Sequence, residues 1–237
     1  MRILRATLAG IVVIGLLSIP TAPATPLDGT RRITLGGVTV RLDLDTRQVI
    51  TVNASRGWRA RVSLWRKSEG RWVRRLIAFD GRTGYGGLVP GDQRVQGSGS
   101  TPLGTFPITE SFGNAARPKA TALPYHRVRR GDFWVQDTAS RHYNTLRNKH
   151  QGGFRWWLPP SDPNSSERLR DYGRQYAWSI VIDYNRPDPV RHRGSGIFLH
   201  VNGDGPTAGC VSAPRWFLRK ALARLRPGLH PVIAIGR

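Results

Sequence analysis

A mainly β domain, mixed α+β with short antiparallel strands and one helix in the C-terminal region, is the fold class this sequence predicts. Three observations carry it. Apolar and polar residues alternate with period two in short runs from Ile33 onward, the turn-forming Ser68-Glu69-Gly70 separates two such runs, and only Ala213 to Leu225 has clear helical spacing. In chain order, Ile33, Leu35, Val38, Val40, Leu42 and Leu44 alternate as half-buried strand, and Gln48–Asn53, Ala60–Trp65 and Trp72–Ala78 continue as an antiparallel meander. Gly81–Ser100, rich in Gly and polar residues, reads as a long loop that turns into a strand at Phe106–Thr109. From Arg117 to Gly173 there is little periodicity but many aromatic residues, which fits either a lid or a satellite core, with a short helix around Ser165–Tyr172. Ala177–Tyr184 and Gly196–Val201 read as buried strands. In the helix, Phe217, Ala221 and Leu225 share one face with Leu218 and Leu222 beside them, Ser212 is the expected N-cap, and Pro227-Gly228 is the stop before a last strand at Pro231–Ile235.

The N-terminus adds a compartment to this domain. Arg2 and Arg5 precede an apolar run from Ala6 to Leu17, and Ala22-Pro23-Ala24 is a small-residue cleavage site, the pattern of an export signal over residues 1–24. An uncleaved anchor is the alternative, but the run falls short of the roughly 20 residues that span a bilayer, so cleavage is expected, with no stable membrane anchor after it. Residues 25–45 then form an arm and first strand, and 46–237 the main domain. Lys and Arg number 37 against 15 Asp and Glu, and removing residues 1–24 takes two arginines from the net +22, leaving +20. Such a charge attracts polyanions, for an exported protein the anionic polymers of the wall. Nucleic acid is not expected, because the arginines are scattered rather than gathered in a stripe.

Cys210 is the sole cysteine, so no internal disulfide can form, and a lone thiol is either a small core residue or a nucleophile. Its surroundings favour the second. Gly194–Ser212 reads GSGIFLHVNGDGPTAGCVS: a strand ends in His200, a Gly-rich turn reverses the chain, and Cys210 follows ten residues later. A hairpin-like return of that length brings imidazole and thiol together, and a thiol of ordinary pKa about 8.5 becomes a usable nucleophile when an imidazole lowers that value. Gly209 permits a tight turn, and the N–H groups of Gly209 and Cys210 are the expected oxyanion donors. The start of the following helix is expected to favour the thiolate. A backbone carbonyl is the expected partner orienting His200, with Asp204 as the weaker alternative.

These residues resemble the YkuD family of L,D-transpeptidases, whose signature is a strand ending in His followed by a Ser/Thr-x-Gly-Cys segment. His200 and Thr207-Ala208-Gly209-Cys210 match it, and Thr101, Pro102, Gly104 and Phe106 match the family's upstream Thr-Pro-x-Gly-x-Phe segment. Trp134-Val135-Gln136-Asp137 with Ser140 and Tyr143-Asn144, and Asp183-Tyr184-Asn185, are similar to actinobacterial members. The resemblance covers roughly residues 46–237. It implies a YkuD-like catalytic domain, a Cys210 nucleophile with His200 as base, no cofactor, and peptidoglycan stem peptides as substrate. Contacts to the stem peptide are expected from Thr207, Ser212, Tyr143 and Asn144, and from Trp156 and Trp157 in the aromatic loop Tyr125–Trp157, the expected lid over that peptide. Val201 after the histidine, the short His-to-Cys loop, Ser212 after Val211 and the long middle segment depart from the pattern, which leaves the acceptor open between an amine and water.

Other chemistries have less support. The six histidines are scattered, without HExxH or a CxxC pair, so no metal is expected. Gly97-Ser98-Gly99 is too short for a serine nucleophile elbow, and no two of Asp137, Asp183 and Asp204 are spaced as a glycosidase acid pair. A Cys-His endopeptidase and a non-catalytic basic wall-binding protein are the alternatives that remain.

Overall fold

In the computed structural model the described residues are 31–237, so the export signal over residues 1–24 lies outside them. The strands are β1 (Arg31–Leu35), β2 (Val38–Leu42), β3 (Gln48–Ala54), β4 (Arg59–Ser68), β5 (Arg71–Arg82), β6 (Leu88–Pro90), β7 (Thr101–Pro107) and β8 (Ser111–Gly113). They continue as β9 (Tyr125–Arg127), β10 (Asp132–Trp134), β11 (Leu146–Asn148), β12 (Glu167–Arg168), β13 (Ser179–Val181), β14 (Phe198–Val201), β15 (Val211–Ala213) and β16 (Val232–Gly236). One α-helix, α1 (Arg215–Leu222), stands among them. The mainly β class and the strand meander therefore hold.

Eleven strands form one sheet in the order β6-β7-β16-β3-β4-β5-β15-β14-β13-β8-β9. The β4–β5 hairpin closes at Glu69 and Gly70, both with positive φ (49° and 76°), the backbone that a tight two-residue turn demands. Alternation divides the side chains of the sheet. On one face, Val52, Val62, Leu64, Leu199, Val211 and Ile233 pack with Phe217, Leu218, Ala221, Leu222 and Leu225, the apolar stripe of α1 and its continuation. Burying each such large side chain contributes about 1.5–3 kcal/mol, which suffices to hold a helix this short. On the opposite side, the β1–β2 hairpin lays Leu35, Val38, Val40 and Leu42 over Val49, Val232 and Ala234.

Three local readings are corrected. The helix starts at Arg215 after Pro214, and Ser212 lies in β15, because pairing with β14 and β5 keeps Val211–Ala213 extended. The segment around Ser165–Tyr172 is β12 followed by a 3₁₀ turn, Leu169–Tyr172, because Glu167 and Arg168 pair with β10. The aromatic middle is not free of regular structure: β11-β10-β12 form a small sheet there.

Candidate active site

The sequence suggested a hairpin between His200 and Cys210, but β14 and β15 run parallel, with Leu199 beside Val211 and His200 beside Ser212. A parallel return must climb back to the start of the first strand, and residues 202–210 do so along the end of β5. Arg82 Nη1 donates to the carbonyls of Gly203 (2.6 Å) and Gly205 (3.2 Å), the Thr207 N–H donates to Thr83 O (3.0 Å), and the Tyr85 N–H donates to Thr207 O (2.9 Å). Alternation then puts Leu199, Val201, Val211 and Ala213 under the helix, while Phe198 and Cys210 join Phe112, Trp134 and Tyr176 on the other face. His200, two residues after Phe198, shares that face and packs edge-on against Tyr176 at 5.3 Å between ring centroids. Cys210 and His200 both line one cleft of about 620 Å³.

Hydrogen bonds fix the protonation of both groups. His200 Nδ1 lies 2.9 Å from the Val201 carbonyl; a carbonyl only accepts, so Nδ1 carries the proton and Nε2 keeps its lone pair. The expected carbonyl thus orients the imidazole. Asp204 does not, because its side chain is exposed and paired with Arg174 at 3.0 Å. The Cys210 thiol donates to Gly196 O (3.3 Å), and its Sγ accepts the Phe198 N–H (3.4 Å). Burial holds the histidine down at about 4. Burial, together with the charge of Glu167, pushes the thiol up to about 12, opposed by the Phe198 N–H, the Arg94 cation and the Tyr176 hydroxyl.

The resting pair is therefore neutral thiol and neutral imidazole, not the thiolate expected from sequence. The helix does not help, since it lies beneath the opposite face and starts five residues after Cys210. The turn before the nucleophile is held by two hydroxyls. Thr207 Oγ1 and Thr101 Oγ1 both donate to the Cys210 carbonyl, at 2.6 and 3.3 Å. Gly209 has φ +123° and a Cβ there would meet Ser100 O and Arg94 Nη2, each at 2.8 Å. Its N–H donates to Thr207 Oγ1 (3.2 Å), which removes it from the expected oxyanion pair and leaves the N–H of Cys210 as the candidate.

The expected substrate contacts divide. Thr207 and Trp156 line the cleft, whereas Trp157 packs edge-on against Trp156 at 5.8 Å and points outward. Ser212 is fully buried in β15 between β14 and β5, and so is part of the floor, not a contact. Tyr143 is buried, with its hydroxyl donating to Gln96 Oε1. Asn144, also buried, accepts from Trp134 Nε1 (2.9 Å) and the Gly196 N–H (3.0 Å) and donates to the Tyr184 and Asn185 carbonyls. Both are braces behind the cleft. Of the rings in the expected lid, Trp134, Tyr143 and Phe154 are core, Phe133 is buried in the cleft wall, and Trp156 is the exposed ring that lines the cleft.

Three groups beside the thiol escaped the sequence reading. Arg94 is buried, donating to Ser100 O (2.7 Å) and Arg193 O (3.1 Å), and remains a cation next to Cys210. Nothing distinguishes it in sequence from the other arginines. Glu167 receives the Tyr176 hydroxyl, and burial pushes its carboxyl up to about 7. The two residues are nine apart on different elements, so only folding unites them.

The family model described as the L,D-transpeptidase catalytic domain, YkuD, matches residues 47–233. No curated protein matches the chain. With His200, Thr207 and Cys210 of the signature-like segments lining one cleft, and with the match spanning nearly all of the described domain, this chain belongs to the YkuD family of L,D-transpeptidase catalytic domains.

Proposed function

We propose that the protein is a peptidoglycan L,D-transpeptidase acting on stem tetrapeptides through a thioester on Cys210. The observation that carries this reading is the shared cleft, lined by the thiol of Cys210, just before β15, and by an imidazole on β14 whose Nδ1 proton is committed to Val201 O. His200 Nε2 takes the thiol proton as Sγ attacks the carbonyl of the third residue of the stem. The neutral resting pair means that proton transfer accompanies attack instead of preceding it. The developing oxyanion faces the Cys210 N–H, with the Arg94 cation nearby. Collapse expels the terminal D-residue, which leaves with the proton held by His200.

An amine from a second stem then resolves the thioester to a crosslink between third residues, and water in its place releases a tripeptide. The work is done outside the membrane after removal of residues 1–24, and the net charge of +20 on the remaining chain holds the enzyme to anionic wall polymers. The test is incubation of the mature protein with purified disaccharide tetrapeptide, Cys210→Ala as control, followed by mass spectrometry. A crosslinked dimer absent from the control is the expected result. Loss of the D-residue alone makes the enzyme a carboxypeptidase, and no product of either kind refutes the reading.

A further inference from the structure

Glu167 occupies a position in the cleft that the mechanism above does not use. Its strand partner is Trp134, and its side chain reaches Gly196, the residue whose carbonyl accepts the Cys210 thiol proton. A methyl group on Gly196 would lie 3.5 Å from Glu167 Oε2, so one glycine separates the thiol from the carboxyl. The absence of a side chain there, enforced by φ +65° and by Trp134 at 3.2 Å, keeps the two groups in the same space.

What the carboxyl lacks is a cation. In a chain with 37 basic and 15 acidic residues, its polar contacts are two neutral donors, the Tyr176 hydroxyl and Gln136 Nε2 at 3.5 Å. Arg168, its chain neighbour, turns to Asp171 (3.9 Å) and the Phe133 ring. Asp204, also on the cleft wall, is taken by Arg174. No ion pair among the described residues includes Glu167, and burial without a counter-charge is what raises it to about 7. The same cleft presents the rings of Phe133, Trp156, Tyr172 and Tyr176. A lone carboxylate among aromatic rings suits an alkylammonium group, which gains from both.

Transpeptidation requires such a group to arrive here. The acceptor is an amine, an ammonium ion at neutral pH, and it must lose a proton before its lone pair can attack. We propose that Glu167 is the acceptor residue, whose carboxylate binds the ammonium of the second stem peptide and takes one proton from it beside the thioester. This rests on the acyl-transfer reading above. Nitrogen then attacks the thioester carbon, the C–S bond breaks, and the second proton passes through His200 to the departing sulfur. Ammonium, thioester and carboxylate become amide, thiol and carboxylic acid, so atoms and charge balance. Water carries no charge for the carboxylate to hold, so the residue favours crosslinking over hydrolysis.

The experiment forms the Cys210 thioester from disaccharide tetrapeptide, removes free donor, and adds disaccharide tripeptide as acceptor. The readout is the ratio of crosslinked to hydrolysed product for the wild type, Glu167→Gln and Glu167→Asp, each checked for folding by circular dichroism. In Glu167→Gln the ratio falls by about tenfold or more, as for loss of a positioned base, and Glu167→Asp recovers part of it. A ratio within about twofold of wild type in Glu167→Gln overturns the proposal, and so does a folded Glu167→Gln that forms no thioester, which would make Glu167 a support of the nucleophile. Absence of a wild-type thioester is a different failure: the acyl-transfer reading falls, and this proposal with it.

Discussion

Cys210 illustrates how far a residue's chemistry depends on what surrounds it. A thiol near an imidazole suggests a preformed thiolate, yet both groups are buried, and burial opposes charge on each. The consequence is measurable. Alkylation of folded protein by a small neutral thiol reagent is expected to be slower at pH 7 than that of a model thiol, and to climb with pH without a plateau below about pH 10. A plateau near neutrality would mean a resting ion pair. Glu167 carries a separate linkage: its pKa is raised on folding, so the stability tied to it is present below its unfolded value near 4.5 and is lost as pH rises through about 7. Glu167→Gln therefore gains stability over wild type at pH 8, by about 1–3 kcal/mol, and gains little at pH 4. Thermal melts at the two pH values decide it, and an equal effect at both refutes the linkage.

At the scale of elements, the site depends on segments far apart in the chain that clamp two short parallel strands. Thr101 at the start of β7 and Thr207 in the crossover hold the Cys210 carbonyl, so the upstream Thr-Pro-x-Gly-x-Phe segment supports the nucleophile directly. Asn144 does the same for Gly196, joining the β10–β11 segment to the chain leading into β14. Asn144→Ala would leave the buried Trp134 Nε1 and Gly196 N–H without their acceptor. The expected loss is about 2–4 kcal/mol from two orphaned donors, read as a lower urea midpoint. A midpoint unchanged within error would show that water replaces the amide oxygen. Substitution of Gly209 is harsher, since any side chain there meets the Ser100 carbonyl and a left-handed backbone together.

For the whole molecule, charge and fold carry separate information. A net +20 without the first 24 residues predicts that the protein binds isolated walls at low salt and is released as ionic strength rises toward about 1 M, where screening falls to a few ångströms. Retention at molar salt would point to specific recognition instead. Much of the architecture could be read in advance, because period-two alternation and one helical stripe report which face of an element is buried wherever it packs. Local Gly, Thr and strand signals single out Cys210 and His200 in the sequence, and the fold sets both in one cleft. Ser212 and Tyr143 were misread as contacts, since a polar residue beside a motif looks the same whether it faces substrate or braces the wall behind it. The sequence by itself determined the mainly β class, the helix stripe and the charge, all of which follow from residue type and spacing. Only the tertiary structure decided that β14 and β15 run parallel, that the thiol rests protonated, and that Arg94 and Glu167 stand beside it, because strand direction, burial and encounters between distant segments arise from packing and leave no local period in the chain.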